Sequence, residues 1–295
     1  MNRFFHALRM ILCLIMLWGT TRLLEAATTY HPVAAVKPLN GSLFLLTTEG
    51  TVLALNLNLN SGSVVGRFSF HQLGYPSDMT YGVAGSQEML FVGSSFSTPG
   101  GVVQGRVQAF TTDGKPLRFW STSHVVGGLA FDAGSQTLYF TSGDSPDVFA
   151  ISPLSDASPR FVGEVNGATK LGSITIDSAR HQFYISDVDQ GTVFSMSLST
   201  RHVATIGRVG TPSALLMNMS GSQLIVADSA RKQVIGLSVG DPNVAPHPLT
   251  PPRSFKGPSG LAWEDSSHLI VSDELAGSVT LLDATGKTMY SLTLH

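Results

Sequence analysis

The sequence runs to 295 residues with a formal net charge of -2, and only 13% of its residues are Asp, Glu, Lys or Arg, about half the usual share, whereas glycine (30) and proline (15) are plentiful. Its Lys and Arg residues are scattered singly along the chain and form no clustered basic footprint, which argues against a nucleic-acid partner. The single cysteine, Cys13, falls in the N-terminal apolar run, so a mature chain without it has no disulfide, cysteine nucleophile or zinc–cysteine site.

Arg3 and Arg9 precede the apolar run 10–18, and Ala26 and Ala27 follow, the pattern of a cleaved export signal over residues 1–27. A bilayer span needs ~20 apolar residues, more than this run supplies; an uncleaved anchor is the second reading, and no later segment reads as a membrane span. Leu12 before Cys13 departs from the small residue of a lipoprotein signal. Cleavage removes three arginines and Glu25, taking the net charge from -2 to about -4, and places the mature protein outside the cytoplasm, secreted or periplasmic.

The rest, residues 28–295, is a repeat. One strand-like segment recurs as YPSDMTYG from Tyr75, VVGGLAFD from Val125, KLGSITID from Lys170, TPSALLMN from Thr211 and GPSGLAWE from Gly257. The equivalent residues Met79, Leu129, Ile174, Leu215 and Leu261 are spaced by 50, 45, 41 and 46, against ~40–50 residues for a propeller blade. A second element appears six times, as LFLLTT from Leu43, LFVGSS from Leu90, LYFTSG from Leu138, FYISDV from Phe183, LIVADS from Leu224 and LIVSDE from Leu269. A third alternating run follows each, and a more variable fourth leads out. The expected fold is all-β, a six-bladed β-propeller with four-stranded blades at about 31–70, 75–121, 125–165, 170–208, 211–251 and 257–295, preceded by the signal peptide. A lone four-stranded sheet leaves a bare face, and radial stacking covers it.

The recurring Pro-Ser-Gly-Leu-Ala, then an apolar run ending in Ala-Asp-Ser or Ser-Asp, then Val, resembles NHL repeats, most clearly in LIVADSARKQVIGL from Leu224. The blades carrying Asp187, Asp228 and Asp273 match well, and the first three hold Thr48, Ser95 and Gly143 at the position read as equivalent. The wider resemblance is to the gluconolactonase and regucalcin-like six-bladed propellers.

Two readings stand for Asp187, Asp228 and Asp273: caps of a recurring turn, or carboxylates for a divalent cation such as Ca, Zn or Mg. Residues that break the repeat are candidates for function because the scaffold does not require them. In the loops before the first strands these are His31, His71, Tyr75, His124, Asn166, Lys170, Arg208, Arg253 and Lys256; in loops after second strands, Asp144, Asp147 and Glu274. His71 and His124 are the candidate acid–base or metal-ligating histidines. The segment SSFSTPGGVVQG is expected as a long lid or contact loop, and residues 28–31 as a possible partner of the last strand around Tyr290 in closing the ring.

No nucleophile elbow, Rossmann glycine pattern or Walker sequence is present. NHL-like repeats imply a binding or scaffolding module for a protein, peptide or glycan on one propeller face, needing no cofactor. The alternative implied by the wider resemblance is a metal-dependent hydrolase or lyase, of the gluconolactonase type or the amidating and streptogramin lyase type, with a cation in the central channel.

Overall fold

The computed structural model describes residues 29–38, 41–58, 61–69 and 74–295. Residues 1–27, read from the sequence as an export signal, His71 and the end of the first blade's outgoing loop therefore lie outside the described residues.

Tyr30–Leu294 forms one compact unit of six antiparallel four-stranded sheets. Blade 1 holds β1 (Pro32–Val36), β2 (Leu43–Thr47), β3 (Thr51–Asn58) and β4 (Ser61–Ser69); blade 2 holds β5 (Tyr75–Ala84), β6 (Gln87–Ser97), β7 (Val103–Phe110) and β8 (Pro116–Thr122). Blade 3 holds β9 (Val126–Asp132), β10 (Thr137–Ser142), β11 (Asp147–Ile151) and β12 (Arg160–Glu164); blade 4 holds β13 (Leu171–Asp177), β14 (Gln182–Asp187), β15 (Thr192–Ser197) and β16 (Val203–Arg208). Blade 5 holds β17 (Pro212–Met217), β18 (Gln223–Asp228), β19 (Gln233–Ser238) and a two-residue β20 (His247–Pro248); blade 6 holds β21 (Pro258–Trp263), β22 (Leu269–Asp273), β23 (Ser278–Leu282) and β24 (Thr288–Thr293). The first strand of each blade packs against the first strand of the next, and β21 returns to β1. These six strands wall a central channel. We call the face on which they begin the upper face and the face on which they end the lower face.

The hydrophobic core lies between blades. In β2, Leu43 and Leu45 enter the cluster shared with blade 6, while Phe44 and Leu46 enter the one shared with blade 2. Alternate side chains point to opposite faces of a strand, so a strand covered on both sides is apolar throughout, as LFLL is. The Pro-Ser motif has a geometric cause. Register shifts at Pro212/Ala214 and Pro258/Gly260 leave Ser213 and Ser259 out of the ladder, and each hydroxyl reaches the next blade. Ser213 Oγ donates to Pro258 O at 2.6 Å and Ser259 Oγ to Pro32 O at 2.5 Å.

Two expectations are corrected and one is met in part. The segment SSFSTPGGVVQG is an extension of the β6–β7 hairpin rather than a loose lid: Ser95, Phe96 and Ser97 pair with Gly105, Gln104 and Val103 around a turn closed by Thr98 N–H to Val102 O at 2.8 Å. The expected pairing of residues 28–31 with the last strand is met by one backbone bond, Tyr30 N–H to Leu294 O at 3.1 Å, which ties the ends without adding a strand to a sheet that already has its own four. The pairing of first with second strands puts Thr47, Ser94 and Ser142 at the position of the three aspartates, one residue earlier than the apolar runs alone indicate.

Candidate functional site

The upper face gathers the described residues singled out from sequence: His31, Tyr75, His124, Asp144, Asp147, Asn166, Lys170, Arg208, Arg253, Lys256 and Glu274 all sit at loops entering first strands or at turns leaving second strands. They form a rim, not one pocket. His31 donates Nδ1–H to Glu274 O at 2.8 Å across the seam between blades 1 and 6. Burial raises the pKa of Glu274, His31 counters it, and Asp273 and Glu49 add to the rise. His124, two blades away, packs at a tilt on Phe149, ring centres 4.8 Å apart, with Nδ1 3.5 Å from Asp144 Oδ1. Asp144 also accepts from Val125 N–H at 3.2 Å, doing in blade 3 what an aspartate at the strand end does in blades 4–6.

Asp187, Asp228 and Asp273 are buried, and each staples two turns. Asp228 accepts from the N–H groups of Gly210, Thr211 and Arg231 at 2.9, 3.1 and 3.1 Å, and pairs with the Arg231 guanidinium at 3.0 Å. Asp187 accepts from Thr169, Asp189 and Gln190, and Asp273 from Lys256, Gly257 and Ala276. Burial alone would push the carboxyls of Asp187 and Asp228 up, yet these donors outweigh it and hold both below the ordinary range.

The channel encloses about 560 Å³ and is walled by all six first strands, continuing to Met219 and Asp265 beyond their lower ends. None of the upper-rim residues lines this cavity. Its charged groups are instead Lys37, Asp78, Glu264 and Asp265. Asp78 is deep within the ring with its carboxylate bordering the channel; its oxygens accept from Met79 N–H at 2.8 Å and, across the blade boundary, Leu129 N–H at 2.7 Å. Desolvation dominates over those two bonds and raises its pKa to about 7. Other blades place Ala34, Gly128, Ser173, Ala214 or Gly260 there, and Ser173 Oγ accepts from Leu215 N–H at 3.1 Å in the same way.

Among the described residues no group of three or more His, Cys, Asp or Glu side chains converges as a metal site. In the channel Asp78 serves two amides, Glu264 faces Lys37, and Asp265 bonds His268 at 2.7 Å. That donor set does not fit a divalent cation held in the channel.

No family model matches the chain and no curated protein matches it in sequence. Solved structures do match. A chain of a nidogen/laminin complex superposes with a TM-score of 0.67 at 15% identity, over 83% of this chain and 90% of that one. Streptogramin B lyase superposes at 0.62 with 10% identity, over 92% and 85%. A structural genomics protein of unknown function from Bacteroides thetaiotaomicron superposes at 0.63 with 12% identity, over 87% and 70%. These neighbours are NHL/YWTD-type and streptogramin B lyase-like six-bladed β-propellers. This chain shares their fold. At such identities the likeness concerns architecture alone.

Sequence reasoning missed Asp78, Lys37 and Glu264. Asp78 carried a usable signal: YPSDMTYG is the one first-strand segment with a charge where its counterparts hold small residues.

Proposed function

We propose that the protein is an exported, non-catalytic propeller that binds an acidic polypeptide across its upper face. One observation carries this reading: the fold brings Arg231 and Lys232 together with Arg253 and Lys256, some twenty residues on in the sequence. Arg253 N–H donates to Arg231 O at 3.2 Å and Phe255 N–H to Lys232 O at 3.1 Å, bringing the blade-5 turn against the segment leading into β21. Arg231, Lys232, Arg253 and Lys256 are all exposed there, with exposed Arg208 and Lys170 at the neighbouring loops.

The backbone supports it. Lys232 has φ 59° in the turn position that Gly50, Gly191 and Gly277 fill in other blades, and Arg253 has φ 65°. A side chain in the left-handed region costs roughly 1–2 kcal/mol, which packing alone gives no reason to accept here. Exposed Leu275 beside this cluster offers an apolar contact. Export rests on the N-terminal Arg-flanked apolar run. The lyase among the structural neighbours suggests catalysis as a second reading, but Asp78, Asp187, Asp228 and Asp273 are committed to turns and amides, so we do not advance it.

The test is binding of a fluorescent polyglutamate peptide at low and high salt, to the wild type and to a variant carrying K232E, R253E and K256E, with Arg231 kept because it pairs with buried Asp228. Salt-sensitive binding, lost at least ~10-fold in the variant, is expected. Absence of binding at low salt, or tighter binding of heparin, overturns the reading.

A further inference from the structure

The lower end of the channel carries an ion pair that the propeller does not need. Lys37 follows β1 and Glu264 follows β21, so the two meet where blade 1 closes on blade 6, with Nζ 3.4 Å from Oε1. Both side chains are largely enclosed, at 11% and 17% exposure, and both line the channel cavity. At the position of Lys37 the other blades carry Tyr81, Phe131, Ile176, Met217 and Trp263, so ring packing is satisfied by apolar side chains there. Enclosing two charges in protein costs several kcal/mol unless their bonding capacity is filled.

It is not filled. An ammonium group has three donors, and the contact of Lys37 with Glu264 is longer than a good charge-assisted hydrogen bond. The second oxygen of Glu264, Oε2, is buried without a hydrogen-bond partner. A lysine ammonium with one long carboxylate contact, and a carboxylate whose second oxygen has no partner, thus meet where both residues line a cavity of about 560 Å³. Charge-assisted hydrogen bonds are roughly twice as strong as neutral ones, so the best complement offers an anion and a cation on adjacent atoms. We propose that this end of the channel binds a small zwitterion of the α-amino-acid type, its carboxylate on Lys37 and its ammonium on Glu264, with the carboxylate side chain turning out of its pocket to receive it. Trp263, fixed by Nε1–H to Met217 O at 2.9 Å, and Met219 flank the mouth and face the ligand's side chain.

The site is on the opposite face from the basic cluster and independent of it. The experiment is a thermal shift of the mature protein against the common α-amino acids, each beside its simple amine and carboxylate analogues and a neutral polyol. At saturation at least one amino acid raises Tm by about 5 °C, and the single-charge analogues do not. E264Q and K37M each weaken that ligand at least ~10-fold, while polyglutamate binding at the upper face stays as in the wild type and reports that both variants are folded. No shift with any amino acid, an equal shift in E264Q, or equal binding of the amine, carboxylate or polyol overturns the proposal.

Discussion

The turns of the upper face and the wall of the channel each enclose aspartates, and burial raises the carboxyl pKa in both places, yet the two sets end in opposite states. Asp228 is met by three backbone N–H groups and a guanidinium, and stays ionised below the ordinary range. Asp78 has two backbone donors and no cation in hydrogen-bonding contact, and its pKa rises to about 7. Depth and donor count together decide which carboxylate acts as a fixed staple and which can change charge near neutrality: Asp78 is the more heavily desolvated and has the fewer donors.

The largest effect is expected where the staple is complete. Asp228→Ala strands three backbone donors and Arg231, and should cost about 3–5 kcal/mol in urea unfolding, with Asp228→Asn intermediate. A loss below ~1 kcal/mol would break the comparison by showing that water replaces the carboxylate. The folded-state pKa values of Asp187 and Asp228 lie below the unfolded one, so their contribution is present above about pH 4 and is lost as pH falls through the folded values.

Asp78 has the reverse sign. Its folded pKa of about 7 exceeds the ordinary 3.8, so the folded protein holds that proton more tightly, and stability falls as pH rises from about 4 to about 7, then levels. Lys37, Glu264 and Asp265 line the same channel. The whole effect is at most ~4 kcal/mol. Asp78→Asn should flatten this segment of the melting-temperature profile and raise Tm at pH 8; an unchanged profile would place the titration elsewhere.

The smallest effect sharpens the functional side of the comparison. Lys232→Gly relieves a left-handed lysine, and against glycine's greater unfolded freedom the net gain is about 0.5–1 kcal/mol. Polyglutamate binding should weaken while urea unfolding shows the gain. A stability loss would mean that the lysine's stem packs in the folded state.

Much of the fold was legible because all six blades repeat a two-sided apolar second strand, with Pro-Ser at the bulge in blades 2, 5 and 6 and aspartate at the strand end in blades 4–6. The second-blade hairpin was not, because Gly, Ser and Pro in SSFSTPGGVVQG read as loop while cross-strand pairing decides otherwise. The candidate sites were half legible. The upper-rim residues follow from strand order, but the basic cluster depends on two backbone bonds between turns, and Lys37 meets Glu264 only when the chain's distant segments close the ring. Asp78 stood in plain view, yet its environment is set by Leu129 of the next blade.

Because every blade is woven from consecutive strands and the ends meet at Tyr30 and Leu294, the chain is effectively a loop of six interchangeable sectors with one cut in it. Moving the cut to the connection between blades 3 and 4 and joining the present ends would leave every sheet intact. The position of the cut is thus a matter of gene order, whereas the Lys37–Glu264 pair would become an ordinary boundary between neighbours in the chain.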